Sequence, residues 1–131
     1  MSGSTANNCL RACRAAGILP IRHNETSEVR GNVFFTHYAL ASDPGSAPRP
    51  LTFLWNGGPG ASSVLVHLLG FGPNRVRTSP TPLAAPDCDC VLETNEGTWL
   101  ESTDLVFVDP IGTGFSRPTS AEYAEDFYGV R

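Results

Sequence analysis

The chain has 131 residues, enough for one ordinary domain with its own core and too few for two. Nine Lys and Arg against 13 Asp and Glu leave a net charge of −4 without any basic run, so no nucleic-acid partner is expected. Thirteen Gly and 11 Pro argue against a helical bundle. The longest apolar stretches, such as Val64 to Leu69, are far below the ~20 residues that span a bilayer, so no membrane partner is expected either.

Residues 1–31 are small or polar apart from Leu10, Ile18, Leu19, Ile21 and Val29. They read as a poorly ordered segment with at most one short helix near Leu10 to Ala16. Met1 to Ala6 lack the basic start and apolar core of a secretory leader. Asn24-Glu25-Thr26 has the form of a glycan acceptor and reads as loop. The cysteines fall in two close pairs, Cys9/Cys13 and Cys88/Cys90, whose spacings match no usual zinc pattern. Free thiols are expected, with no metal and no cofactor.

An ordered domain is expected over residues 32–131. Val33 to Leu40 alternates, placing Phe34, Tyr38 and Leu40 on one face of a half-buried strand. A Pro-Gly turn follows, and Leu51 to Trp55 has no polar face, which predicts a central strand. The run Asn56-Gly57-Gly58-Pro59-Gly60-Ala61 then turns sharply into a helix that Ser62 or Ser63 can cap. Val64, Leu65, Val66, Leu68 and Leu69 are apolar all round, which predicts a buried helix ended by Gly70, Gly72 and Pro73. Arg75 to Arg77 reads as a short extended piece and Ser79 to Pro86 as irregular chain. Trp99 is expected to anchor the return to the core. Asp104 to Asp109 is the last clear strand, ending in the glycine-rich turn Pro110 to Ser116. Arg117 to Arg131 reads as a loop leading into an acidic helix start. Strands alternating with helix and loop predict an α/β sheet.

Trp55-Asn56-Gly57-Gly58-Pro59-Gly60-Ala61-Ser62-Ser63, followed by Gly70-Phe71-Gly72-Pro73, Trp99 and the run from Asp104 to Ser116, resembles the N-terminal part of a serine carboxypeptidase of peptidase family S10. The likeness covers roughly Ile18 to Arg131. It implies the N-terminal part of an α/β-hydrolase fold, with a mixed sheet that is incomplete. Ala61 is similar to bacterial-type members, because plant and yeast members usually carry a disulfide cysteine there. By this resemblance the backbone N–H of Gly58 serves the oxyanion hole. Asn56 and Gly57 contact the free C-terminal carboxylate of a peptide substrate. Asp109 to Ser116 shapes the pocket, and Asp109 has a structural role rather than that of the triad acid. Family members are mostly secreted, periplasmic or vacuolar.

Two departures from the family pattern stand out. No Gly-x-Ser-x-Gly nucleophile elbow occurs, and His23, His37 and His67 have no evident acid partner. The catalytic triad is therefore expected beyond Arg131, and the chain alone is expected to be inactive and marginally folded. Eukaryotic members also carry a glutamate on the helix after the glycines, where this chain reads Val66-His67-Leu68. His67 is either a hydrogen-bonded core residue or a positive partner for the substrate carboxylate. Two other readings remain: a proline iminopeptidase-like or other α/β-hydrolase, although iminopeptidases usually have His before the glycines where this chain has Asn56, and a non-catalytic truncated binding module.

Overall fold

The structure is a computed structural model and describes residues 12–57, 60–78 and 91–128. Gly58, Cys9, Cys88, Cys90 and the irregular stretch expected over Ser79 to Pro86 lie outside the described residues. Strand β1 (Ala12–Arg22) pairs antiparallel with β2 (Val29–Leu40) along its whole length, from Ala12 opposite Leu40 to Arg22 opposite Val29. This corrects the expectation of a short helix near Leu10 to Ala16 and carries the sheet across the anticipated boundary at residue 31. The stretch has little strand propensity of its own, and the long β2 ladder overrides that deficit. Pro20 is accommodated because β1 is the terminal strand on this side of the described sheet.

The sheet runs β1-β2-β6-β3, with β3 at Leu51–Leu54 and β6 at Asp104–Val108, and a short β7 (Arg117–Pro118) also pairs with β2. β2 lies antiparallel to β6, and β3 lies parallel to it with Leu54 opposite Phe107. The sheet is thus mixed. β3 was expected to be central, yet its far side has no partner among the described residues, and Leu51 and Phe53 are exposed. Arg49 pins the approach to β3, its Nε 2.8 Å from Asp104 Oδ1 and its Nη2 donating to Leu100 O at 2.6 Å.

Alternation puts Tyr38, Leu54, Leu105 and Phe107 on one sheet face, where they form the buried core with Leu100. Val66 and Phe71 cover them from the segment after the glycine turn, which holds one short α-helical turn, α1 (Val64–Val66), and a π-helical turn, His67–Phe71. The predicted all-round burial is not found, because Val64, Leu65 and Leu69 are exposed and one stripe packs. Asn95 closes the π turn by donating Nδ2 to Gly70 O and Gly72 O at 2.7 and 2.8 Å. Trp99 packs on Phe71 at 4.3 Å yet stays half-exposed, and its neighbour Leu100 is the residue that enters the core.

The expected extended piece is β4 (Asn74–Val76), paired antiparallel with β5 (Leu92–Thr94) in a separate ribbon. The acidic C-terminal start is a 3-10 turn, Glu122–Asp126, tied to β2 through Asp126 and Arg30 at 2.7 Å.

Candidate functional site

Parallel pairing brings the C-terminal ends of β3 and β6 side by side, so the segments that leave them emerge at one edge of the sheet. Such an edge is the usual place for a ligand in a sheet of this kind. From β3 the chain continues into Trp55, exposed, then Asn56, half-buried, and Gly57, exposed. A Cβ added at Gly57 or Gly60 would meet no atom within 4 Å, and Gly60 has φ +88°. Gly60 is therefore required by its backbone, whereas Gly57 keeps an open approach to the main chain.

From β6 the chain enters Asp109, which is 5% exposed. Its Oδ1 accepts from both the N–H and the hydroxyl of Ser63, at 2.8 and 2.7 Å, and its Oδ2 accepts from Phe115 N–H at 3.1 Å. Ser116 is fully buried, donates Oγ to Asp109 O at 2.7 Å and accepts from Phe34 N–H at 2.8 Å. The Asp109 backbone N–H reaches Phe34 O at 3.0 Å. Gly114, at φ +48°, passes so close that any Cβ would strike the Asp109 carboxylate, and it would lie 3.0 Å from Ser62 Cβ. Gly112 is equally constrained, with φ +88° and the Tyr128 hydroxyl where a Cβ would stand. One carboxylate therefore joins the end of the glycine turn to the glycine-rich loop after β6.

This arrangement settles several candidates. Three donors occupy Asp109, so its carboxylate serves the fold and is not oriented toward a histidine. Of Ser62 and Ser63, either of which was expected to cap the helix, Ser63 is the N-cap residue, but its side chain makes no capping bond and commits its hydroxyl to Asp109. Ser63 donates its hydroxyl to the Asp109 carboxylate and Ser116 to the Asp109 carbonyl, so neither forms the serine–histidine pair of a triad nucleophile.

His67 stacks on Phe107 at 4.4 Å, and its Nε2 lies 2.8 Å from the Tyr38 hydroxyl. Burial, reinforced by the positive charge of Arg14 and partly opposed by Asp109, holds it below the ordinary histidine pKa. It is a half-buried histidine whose protonation burial disfavours, and so a poor positive partner for a carboxylate. Among the other histidines, His23 accepts from the turn amides of Glu25 and Thr26, and His37 lies on the opposite sheet face. Cys13 is exposed and unbridged.

The Asp109 latch was not anticipated. Its one trace in the sequence is the spacing of Asp109, Gly112 and Gly114, which calls for close backbone approach without naming the partner. The Tyr38–His67 pair was missed for the same reason, since its members sit on elements 29 residues apart.

The fold defined by this mixed sheet and its strand-end turns is α/β-hydrolase-like, as in the crystal structure of a prohormone-processing carboxypeptidase, KEX1(delta)p, from Saccharomyces cerevisiae. That structure superposes with a TM-score of 0.61 at 36% identity, over 78% of this chain and 20% of the other. The pattern of the serine carboxypeptidase family, peptidase S10, matches residues 15–127, and the chain belongs to that family. Among curated relatives it is 40% identical over 102 residues to the pheromone-processing carboxypeptidase KEX1 of Arthroderma otae, covering 76% of this chain and 14% of the relative. It is 38% identical over 109 residues to that of Podospora anserina, covering 81% and 16%. The chain thus spans about one-seventh of the length of these relatives.

Proposed function

We propose that this chain is the segment of a serine carboxypeptidase that supplies the oxyanion donor, Gly58 N–H, and the contacts of Asn56 and Gly57 to the substrate's terminal carboxylate. The substrates are peptides with a free C-terminus, and the reaction is hydrolysis of the last peptide bond through an acyl-enzyme. The triad comes from outside this segment, so the chain alone is inactive. The observation that carries this reading is the open glycine turn whose two flanks, Leu54 and Ser63, are both held by β6 and its end, at Phe107 and Asp109. A turn so anchored can present a terminal amide and bare main-chain N–H groups to an anion without rearranging, and such preorganisation is what an oxyanion site requires. The family match favours this reading over an iminopeptidase-like one.

The test has two arms. The isolated chain, assayed on a blocked dipeptide and treated with a fluorophosphonate, is expected to show neither turnover nor labelling; either would place a nucleophile within it. In the whole protein that carries the segment, Asn56→Ala removes a hydrogen bond to a charged group worth about 1.5–3 kcal/mol, so KM for a free-carboxylate substrate is expected to rise roughly 10- to 100-fold. The C-terminal amide of the same peptide is expected to be unaffected. Equal loss on both substrates would sink the carboxylate assignment, and an inactive whole protein would favour a binding module.

A further inference from the structure

We infer that Asp109 is a positioning residue for the glycine turn: its carboxylate sets the pose in which Asn56, Gly57 and Gly58 meet the substrate. The inference rests on the functional reading above and extends it to a residue outside the turn. Among the described residues of the turn, Gly57 and Gly60 meet no packing partner at the position of a Cβ, so the chain on either side depends on its attachments. The first end is fixed by the β3–β6 ladder at Leu54 and Phe107. The second is fixed at Ser63, where one carboxylate oxygen takes both the amide and the hydroxyl proton. Both anchors belong to the same strand end, two residues apart.

The second oxygen, on Phe115 N–H, keeps the carboxylate from rotating out of that grip, and Gly114 leaves room for it. Ionised acceptors make the stronger hydrogen bonds, and burial strengthens them further. Misplacement of a reacting group by ~1 Å can cost on the order of 10²-fold in rate, so loosening this latch reaches turnover without touching substrate.

The test compares Asp109→Ala, Asp109→Asn and, as a purely destabilising control, the core variant Leu100→Ala. In the isolated chain, amide hydrogen exchange at Ser63 is expected to accelerate at least tenfold in Asp109→Ala and less in Asp109→Asn, whose remaining oxygen can still accept from Ser63. In the whole protein, at a temperature where every variant is folded, Asp109→Asn is expected to lower kcat about tenfold and to raise KM for a free-carboxylate substrate more than for its C-terminal amide, because the turn carries both the oxyanion donor and the carboxylate contacts. Leu100→Ala is expected to lower the melting temperature while leaving kcat within twofold.

If Asp109→Ala does not fold, the Asp109→Asn comparison decides alone. An unchanged kcat in Asp109→Asn beside an active wild type overturns the inference, as does unchanged exchange at Ser63. An inactive wild type overturns the functional reading instead, and the exchange data still report whether the latch holds the turn.

Discussion

At the scale of single residues, the glycines divide into those demanded by the chain's own packing and those that keep space open. Gly114 belongs to the first group. Its positive φ costs an L-residue roughly 1–2 kcal/mol, and a methyl there must also displace the Asp109 carboxylate from its donors. Gly114→Ala is expected to destabilise the chain by about 2–4 kcal/mol, read as a shift in urea midpoint at constant slope. Gly57 belongs to the second group, with no atom within 4 Å of an added Cβ and no positive φ. There the substitution reduces only the freedom of the unfolded chain, so Gly57→Ala is expected to leave stability equal or ~0.4–1 kcal/mol higher. Under the proposed function the same methyl obstructs the approach of the carboxylate. A glycine whose replacement spares the fold while weakening free-carboxylate substrates is kept for a ligand. Destabilisation by Gly57→Ala as large as that by Gly114→Ala would remove that distinction.

At the scale of elements, the π turn His67–Phe71 opens on a histidine whose protonation burial disfavours. His67 is packed on Phe107 and bonded to Tyr38, while Arg14 adds unfavourable positive charge and Asp109 offsets part of it. A folded-state pKa below the ordinary 6.5 means that the unfolded chain binds more protons in the window just below that value. Stability from this site is therefore complete above about pH 6.5 and declines as pH falls toward the lowered folded value. Urea titrations between pH 7.5 and 5 are expected to show a fall in stability that is shallower in His67→Gln. An identical slope in the variant would remove His67 from the account.

β6 was legible in the sequence because Leu105, Val106 and Phe107 form an unbroken apolar run closed by Pro110, and β2 because its residues alternate. β1 was not, since Ala12 to Gly17 has no strand propensity and becomes a strand only through eleven paired positions on β2. The glycine turn was legible as a likeness, but the group that holds it, Asp109 on Ser63, spans 46 residues of sequence and exists only once β3 and β6 lie parallel. Long-range polar pairs of this kind leave no local pattern.

At the scale of the whole molecule, the described sheet has two unequal faces. One carries Tyr38, Leu54, Leu105 and Phe107 under Val66 and Phe71. The other carries Leu19, Val33, Phe35, Leu51, Phe53, Val106 and Val108 around an open apolar hollow, with Leu19 and Phe53 more than half exposed. Stable domains bury both apolar faces of such a sheet, and large bare apolar patches bind hydrophobic solutes or drive aggregation. Among the described residues nothing covers this second face. A solvatochromic dye such as anilinonaphthalene sulfonate is expected to bind the folded chain. The double variant Leu19→Lys with Phe53→Lys is expected to reduce that binding severalfold without lowering the melting temperature, because both side chains already face solvent. Undiminished dye binding would place the apolar surface elsewhere, and a large loss of stability would mean that these side chains are buried in solution.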